Sequence, residues 1–220
     1  MGIISLEQEN RLLWLGRYSE RVYTTICLFF TAYDSIIDDL NITYDQFCKQ
    51  IDIPDIYGSK EVFRKNYPFD ESDPNSILSN LNRAYDNAIV LREGIGSETL
   101  SYIQLAIYAM NKAKISKAPL IELQKVTDNL LAFWGIVDDI IESEQVRNII
   151  KTGKYIERVD LFGRLKKCKK DLIREVDRLV SSIKHSGMSY HEKRLENLKK
   201  LVVDTEMDYY KIVQEVEAIL

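Results

Sequence analysis

Only nine glycines and four prolines punctuate the 220 residues of this chain. They are confined to a few places, and between them apolar residues return at steps of three and four. That period belongs to helices with one buried face, so nearly the whole chain reads as helix and the fold class as all-α. The spacing predicts a first helix from about Leu6 to Asp39, with Leu15, Tyr18, Val22, Ile26, Phe29 and Tyr33 on one face. A mixed connector, roughly Asn41 to Asp73, holds Pro54, Gly58 and Pro68. Asp73-Pro74 has the form of an N-cap and first-turn proline, opening a helix to about Glu93. Gly94 and Gly96 interrupt it, and Ser97-Glu98 starts the next helix, to about Lys114. Another runs from Ser116–Pro119 to near Ile141, and a long one from Ser143 to about Lys184 stops at Gly187. Ser189 with Glu192 reads as a capping box for a last helix through Glu217. About six helices joined by short turns imply an antiparallel bundle, and residues 1–220 read as one domain.

Charge and cysteine content narrow the function classes. Thirty Lys and Arg stand against 34 Asp and Glu, so no basic excess points to nucleic acid or an anionic membrane. Cys27, Cys48 and Cys168 are odd in number and widely spaced, matching neither a disulfide framework nor a zinc site, and a reducing cytoplasmic setting is expected. The opening MGIISLEQENRLL lacks the form of a signal peptide, and no apolar run reaches the ~20 residues of a membrane span. His185 and His191 are the only histidines and read as loop or cap residues. No Gly-rich phosphate loop is present, and no cofactor or metal site is expected.

The string WLGRYSER, residues 14–21, puts a polar knot into the otherwise apolar first helix. It has an echo: Gly16-Arg17-Tyr18-x-Glu20-Arg21-Val22 returns as Gly153-Lys154-Tyr155-x-Glu157-Arg158-Val159, an internal pseudo-repeat. On a helical wheel Arg17, Glu20 and Thr24 share one side with Arg21 close by, and Leu13, Leu28 and Trp14 make that side partly apolar. A solvated face and a central helix with a paired interior charge network both fit this pattern. In a central helix the charges must be paired, since an isolated buried charge costs several kcal/mol. A rival set of acids, Asp34, Asp38 and Asp39 with Asp138, Asp139 and Glu142, has the one-turn carboxylate spacing able to hold Mg²⁺ against a diphosphate. Solvated helix ends account for these residues more cheaply.

Three segments in order resemble the alpha-E domain family, bacterial all-helical proteins. WLGRYSER is similar to that family's N-terminal signature. The stretch FDESDPNSILSNLNRAYDNAIVLREGIGSE, Phe69 to Glu98, resembles its middle signature, and GIVDDIIESEQVRNIIKTGKYIERVD, Gly135 to Asp160, its second Gly-Arg-Tyr-Leu-Glu-Arg-Ala-Asp signature. Lys154, Asp86, Tyr85, Ile89 and Asp139 depart from the family pattern, and the chain is shorter than the usual member. The resemblance implies a partner rather than a reaction: a circularly permuted ATP-grasp ligase and a transglutaminase-like peptidase, in the synthesis or modification of peptides. An ATP-grasp partner would bring its own nucleotide and Mg²⁺. Joined to the residue patterns, it suggests a polar centre made of Arg17, Glu20, Arg21, Glu93, Glu98, Asp138, Lys154, Glu157 and Arg158, binding a partner, a peptide or a small carboxylate. Two enzymatic alternatives stay open. One uses a buried glutamate, Glu20, Glu98 or Glu157, as base for amide chemistry; the other is the Mg-dependent diphosphate enzyme on Asp34, Asp38, Asp138 and Glu142.

Overall fold

The computed structural model of the chain describes residues 4–38 and 43–220, and the side chains of all these but 34–38. It is all-α, 77% helical, with eleven helices and no strand among the described residues. The first helix, α1 (Leu6–Asp38), runs as expected, and Leu15, Val22, Ile26 and Phe29 on its anticipated face are buried. Asp39 lies outside the described residues.

The count of six helices is corrected to eleven, for local reasons. The connector holds α2 (Tyr44–Gln50) and α3 (Lys60–Asn66), and Ser59 caps α3 by accepting from the Val62 amide. The helix expected from Asp73-Pro74 begins later, as α4 (Ile77–Val90), because Ser76 rather than Asp73 caps it. Asp73 instead accepts the Tyr57 hydroxyl at 2.7 Å and the Asn75 amide at 2.8 Å. A single turn, α5 (Arg92–Ile95), separates α4 from α6 (Ser97–Ile115), and α7 (Pro119–Asp139) starts with its proline in the first turn. Ser143 caps α8 (Glu144–Arg164) as expected. That helix stops twenty residues earlier than its periodicity suggests, where Lys166 turns to φ 50°, a left-handed value for a residue with a side chain. The chain resumes as α9 (Lys169–Ser186), ended by Gly187 at φ 70°. The last predicted helix is also two, α10 (Glu192–Val203) and α11 (Tyr209–Glu217). His191, not Ser189, is the N-cap residue of α10, and Asp208 caps α11.

The chain forms two compact units, Met1–Glu20 with Glu142–Leu220, and Arg21–Ile141. In the first, the terminal unit, α8 packs on α9 and α11, and α10 on α9 and α11. Ile149, Ile156, Val159, Leu172, Leu179, Leu198 and Ile212 are among its buried residues. In the second, the central unit, α6 packs against α4 and α7. There Ile77, Leu81, Ala84 and Ala88 place four buried residues on one stripe of α4. The connector earns its place through aromatic rings: Phe29 of α1 meets Phe47 of α2 and Phe63 of α3 at 6.3 Å, and Phe63 stacks on Tyr67 at 4.8 Å. Such pairs add about 0.5–1.5 kcal/mol beyond the area they bury. Cys48 is buried, Cys168 exposed and Cys27 half-buried. No described helix is long and apolar enough to cross a membrane.

Candidate functional site

The polar knot of α1 meets its echo on α8 in the terminal unit, and glycine sets the distance. A Cβ built on Gly16 would stand 2.0 Å from the Ile150 carbonyl oxygen, and one on Gly153 would stand 2.1 Å from that of Leu13. The contacts are reciprocal, since each glycine touches the carbonyl three residues before the other. Only hydrogen fits at either place, so the two backbones cross at closest approach.

That crossing brings the charged residues beyond it together. Arg17 Nε donates to Glu157 Oε2 at 2.9 Å, and Arg158 Nε donates to Glu20 Oε1 in the opposite sense. Lys154, the counterpart of Arg17, adds positive charge near Glu20. Arg17 also lies 4.6 Å over the ring of Trp14, which in turn packs on Tyr18. Glu20 has no exposure and Glu157 is buried, whereas the guanidinium side chains of Arg17 and Arg158 each keep 19% of their surface.

A third glutamate completes the network. Glu175 of α9 is fully buried and accepts from Arg158 Nη1 at 3.5 Å, Arg174 Nε at 2.8 Å and Arg178 Nη1 at 3.2 Å. Sequence reasoning missed it because Arg174 and Arg178 look like a solvated helix edge. The signal was its phase: Glu175 falls on the apolar stripe of Leu172, Leu179 and Ile183. Farther along α8, Asp160 accepts Arg164 Nε at 3.0 Å, and Arg164 Nη2 reaches Glu217 of α11 at 2.7 Å.

Burial pushes the Glu20 carboxyl above its ordinary pKa, with Arg158 and Lys154 opposing it. Asp160 is raised for the same reason, against Arg164. Arg158 is held more firmly protonated by Glu20 and Glu175 in spite of its own desolvation. Chemically, the arrangement offers paired carboxylates with a proton balance displaced toward the acid form at Glu20.

The structure therefore gathers Arg17, Glu20, Lys154, Glu157 and Arg158 in one unit. Arg21, Glu93, Glu98 and Asp138 belong to the other, and of these Glu93, Glu98 and Asp138 are exposed. Exposure of Glu98 is at odds with its role as a buried base. Of the rival acids, Asp139 and Glu142 are exposed too, while the side chains of Asp34 and Asp38 lie outside the described residues. Among the described residues, no group of three His, Cys, Asp or Glu is placed to hold a metal ion.

Residues 9–202 match the family model Alpha-E, described as "a predicted alpha-helical domain with a conserved ER motif". The chain belongs to the Alpha-E family. Two Glu-Arg pairs stand in it, Glu20-Arg21 and Glu157-Arg158, one on each helix of the glycine crossing. In this Alpha-E chain both glutamates of these pairs accept a hydrogen bond from an arginine of the opposite helix. Comparison with curated proteins and with solved structures returns no match.

Proposed function

We propose that this Alpha-E chain is a non-catalytic, accessory component of an ATP-grasp-type peptide or amide ligase system, working in the bacterial cytoplasm. The observation that carries the non-catalytic part is the engagement of Glu20, Glu157 and Glu175 by Arg158, Arg17, Arg174 and Arg178. The Arg17–Glu157 and Arg158–Glu20 pairs brace α1 and α8 against one another, and losing one partner of such a buried pair costs about 3–5 kcal/mol. The partner rests on the family resemblance, which also brings a transglutaminase-like peptidase into view. The family match of residues 9–202 runs through both compact units, which supports treating them as one domain.

Affinity capture of the full chain from its native host, followed by mass spectrometry, is expected to recover an ATP-grasp ligase. Recovery of none, with no such gene beside this one, would sink the proposal. Glu157→Gln separates bracing from binding: reduced stability with unchanged partner capture is the expected result.

One feature favours the enzymatic alternative, the raised pKa of the buried Glu20, which suits a proton-transferring group. In that case Glu20→Gln would abolish amide formation or cleavage in the assembled system while the chain stays folded. Retained turnover would exclude it.

A further inference from the structure

Arg17 and Arg158 of the Glu-Arg cluster are engaged with glutamates, which turns a small carboxylate toward other cations. Arg64 of α3 is the candidate. It is half-buried, and among the described residues it makes no ion pair with any acid. Its one hydrogen bond runs from Nη2 to the Tyr33 hydroxyl at 2.8 Å, and the guanidinium lies over the Tyr33 ring, 4.4 Å from its centre. Nε is buried and has no hydrogen-bond partner. A stacked guanidinium held by one nitrogen keeps its planar fork oriented, the geometry that matches a carboxylate.

Arg64 stands on the wall of a cavity of about 340 Å³ within the central unit. Arg64 and Lys65 line it with a single acid, Glu61, while Lys114, also in the lining, is paired with Glu71 at 2.9 Å, so the remaining charge balance favours an anion. Much of the remaining lining is apolar, with Phe29, Pro119, Leu120 and Leu123. Tyr33 and Leu120 continue into a neighbouring depression that includes Ile121, whose side chain is exposed. A lining that combines cationic and apolar side chains is complementary to a molecule built the same way.

We infer that this cavity binds a carboxylate carrying an apolar body, with Arg64 as the carboxylate anchor, Lys65 as supporting charge, and Tyr33 and Leu120 against the apolar part. The inference is independent of the ligase partner proposed above. Two sources share this chemistry, a peptide ending in an apolar residue and a fatty acid.

The test is an NMR titration of the full chain with N-acetyl-leucyl-phenylalanine, its C-terminal amide, and octanoate. Saturable shifts at Arg64 Nε–H and the Leu120 and Leu123 methyls, with Kd of about 1 mM or tighter, are expected for a carboxylate probe. The peptide acid binding more tightly than octanoate assigns the peptide source, and the reverse order assigns the fatty acid. The amide is expected to lose about tenfold or more, as is Arg64→Ala against the acid. Arg64→Lys, which keeps charge and loses the fork, should fall between and guards against a folding defect in the alanine variant. Equal binding of acid and amide, unchanged affinity in both variants, or no saturable shift with either acid overturns the inference.

Discussion

Replacing Gly153 by alanine adds one methyl group at the crossing of α1 and α8, and the structure fixes what it meets. The new Cβ would lie 2.1 Å from the Leu13 carbonyl oxygen and 3.0 Å from the Arg17 amide nitrogen, both backbone atoms. Ordinary contact begins near 3.4 Å, so the helices must part by about 1.3 Å. No side-chain rotation can relieve the clash. Overpacking of this kind costs about 1–3 kcal/mol or more, and alanine returns at most about 1 kcal/mol in helix propensity. Parting the helices also stretches the 2.9 Å bond between Arg17 and Glu157, whose carboxylate is buried. A net loss of about 2–4 kcal/mol is expected, read as a lower urea midpoint at unchanged slope. Gly135 provides the control, because a Cβ there meets nothing within 4 Å and Gly135→Ala should be neutral or stabilising by up to about 1 kcal/mol. Gly16→Ala should resemble Gly153→Ala. The double variant should cost less than the sum, since one separation serves both methyl groups. If Gly153→Ala behaves like Gly135→Ala, the close crossing is wrong and so is the account of the charge network built on it.

Other consequences are open to direct measurement. Arg158→Ala removes a donor from the buried Glu20 and should cost about 3–5 kcal/mol, whereas Arg174→Ala, at a side chain with 48% exposure, should cost much less; similar losses in urea denaturation would refute the network's hierarchy. Because folding raises the Glu20 pKa, its contribution to stability is full below the ordinary value of 4.5 and is lost as pH rises through the raised one. Carboxyl-detected NMR should therefore place the Glu20 midpoint above 4.5, and a midpoint at or below it would contradict the burial argument. Burial and the acids Asp55, Asp45 and Asp73 push the Cys48 thiol up to about 12. Iodoacetamide should modify the exposed Cys168 in the native protein and reach Cys48 only after denaturation, as peptide mass mapping can show.

Much of the charge cluster could be read from residues alone. The Gly16 and Gly153 echo is legible because a close helix crossing demands glycine at both contacts, and periodicity put Glu20 on a partly apolar face. Glu175 escaped because its neighbouring arginines give that stretch the look of a solvated edge, although its phase follows Leu172, Leu179 and Ile183. The break between α8 and α9 escaped as well: Leu165-Lys166-Lys167-Cys168 has neither glycine nor proline, and Lys166 adopts φ 50° without a residue that advertises it. Asp73 misled for a related reason, since a carboxylate before proline suits a helix cap, yet a buried tyrosine hydroxyl claimed it. Glu93, Glu98 and Asp138 entered through family likeness, and a motif's position in a string says little about its exposure.

The terminal unit is assembled from residues 1–20 and 142–220, with the whole central unit spelled out between them. Arg17 and Glu157 are 140 positions apart, and Glu20 and Arg158 are 138 apart. During synthesis the stretch that ends in Glu20 therefore leaves the ribosome long before its partners exist, and the central unit can form first. The solvated charges of Arg17 and Glu20 suit that interval, because they keep an otherwise oily segment in water until α8 arrives to pair with them. The same glutamate serves as a solubilising group in the nascent chain and a buried brace in the finished one.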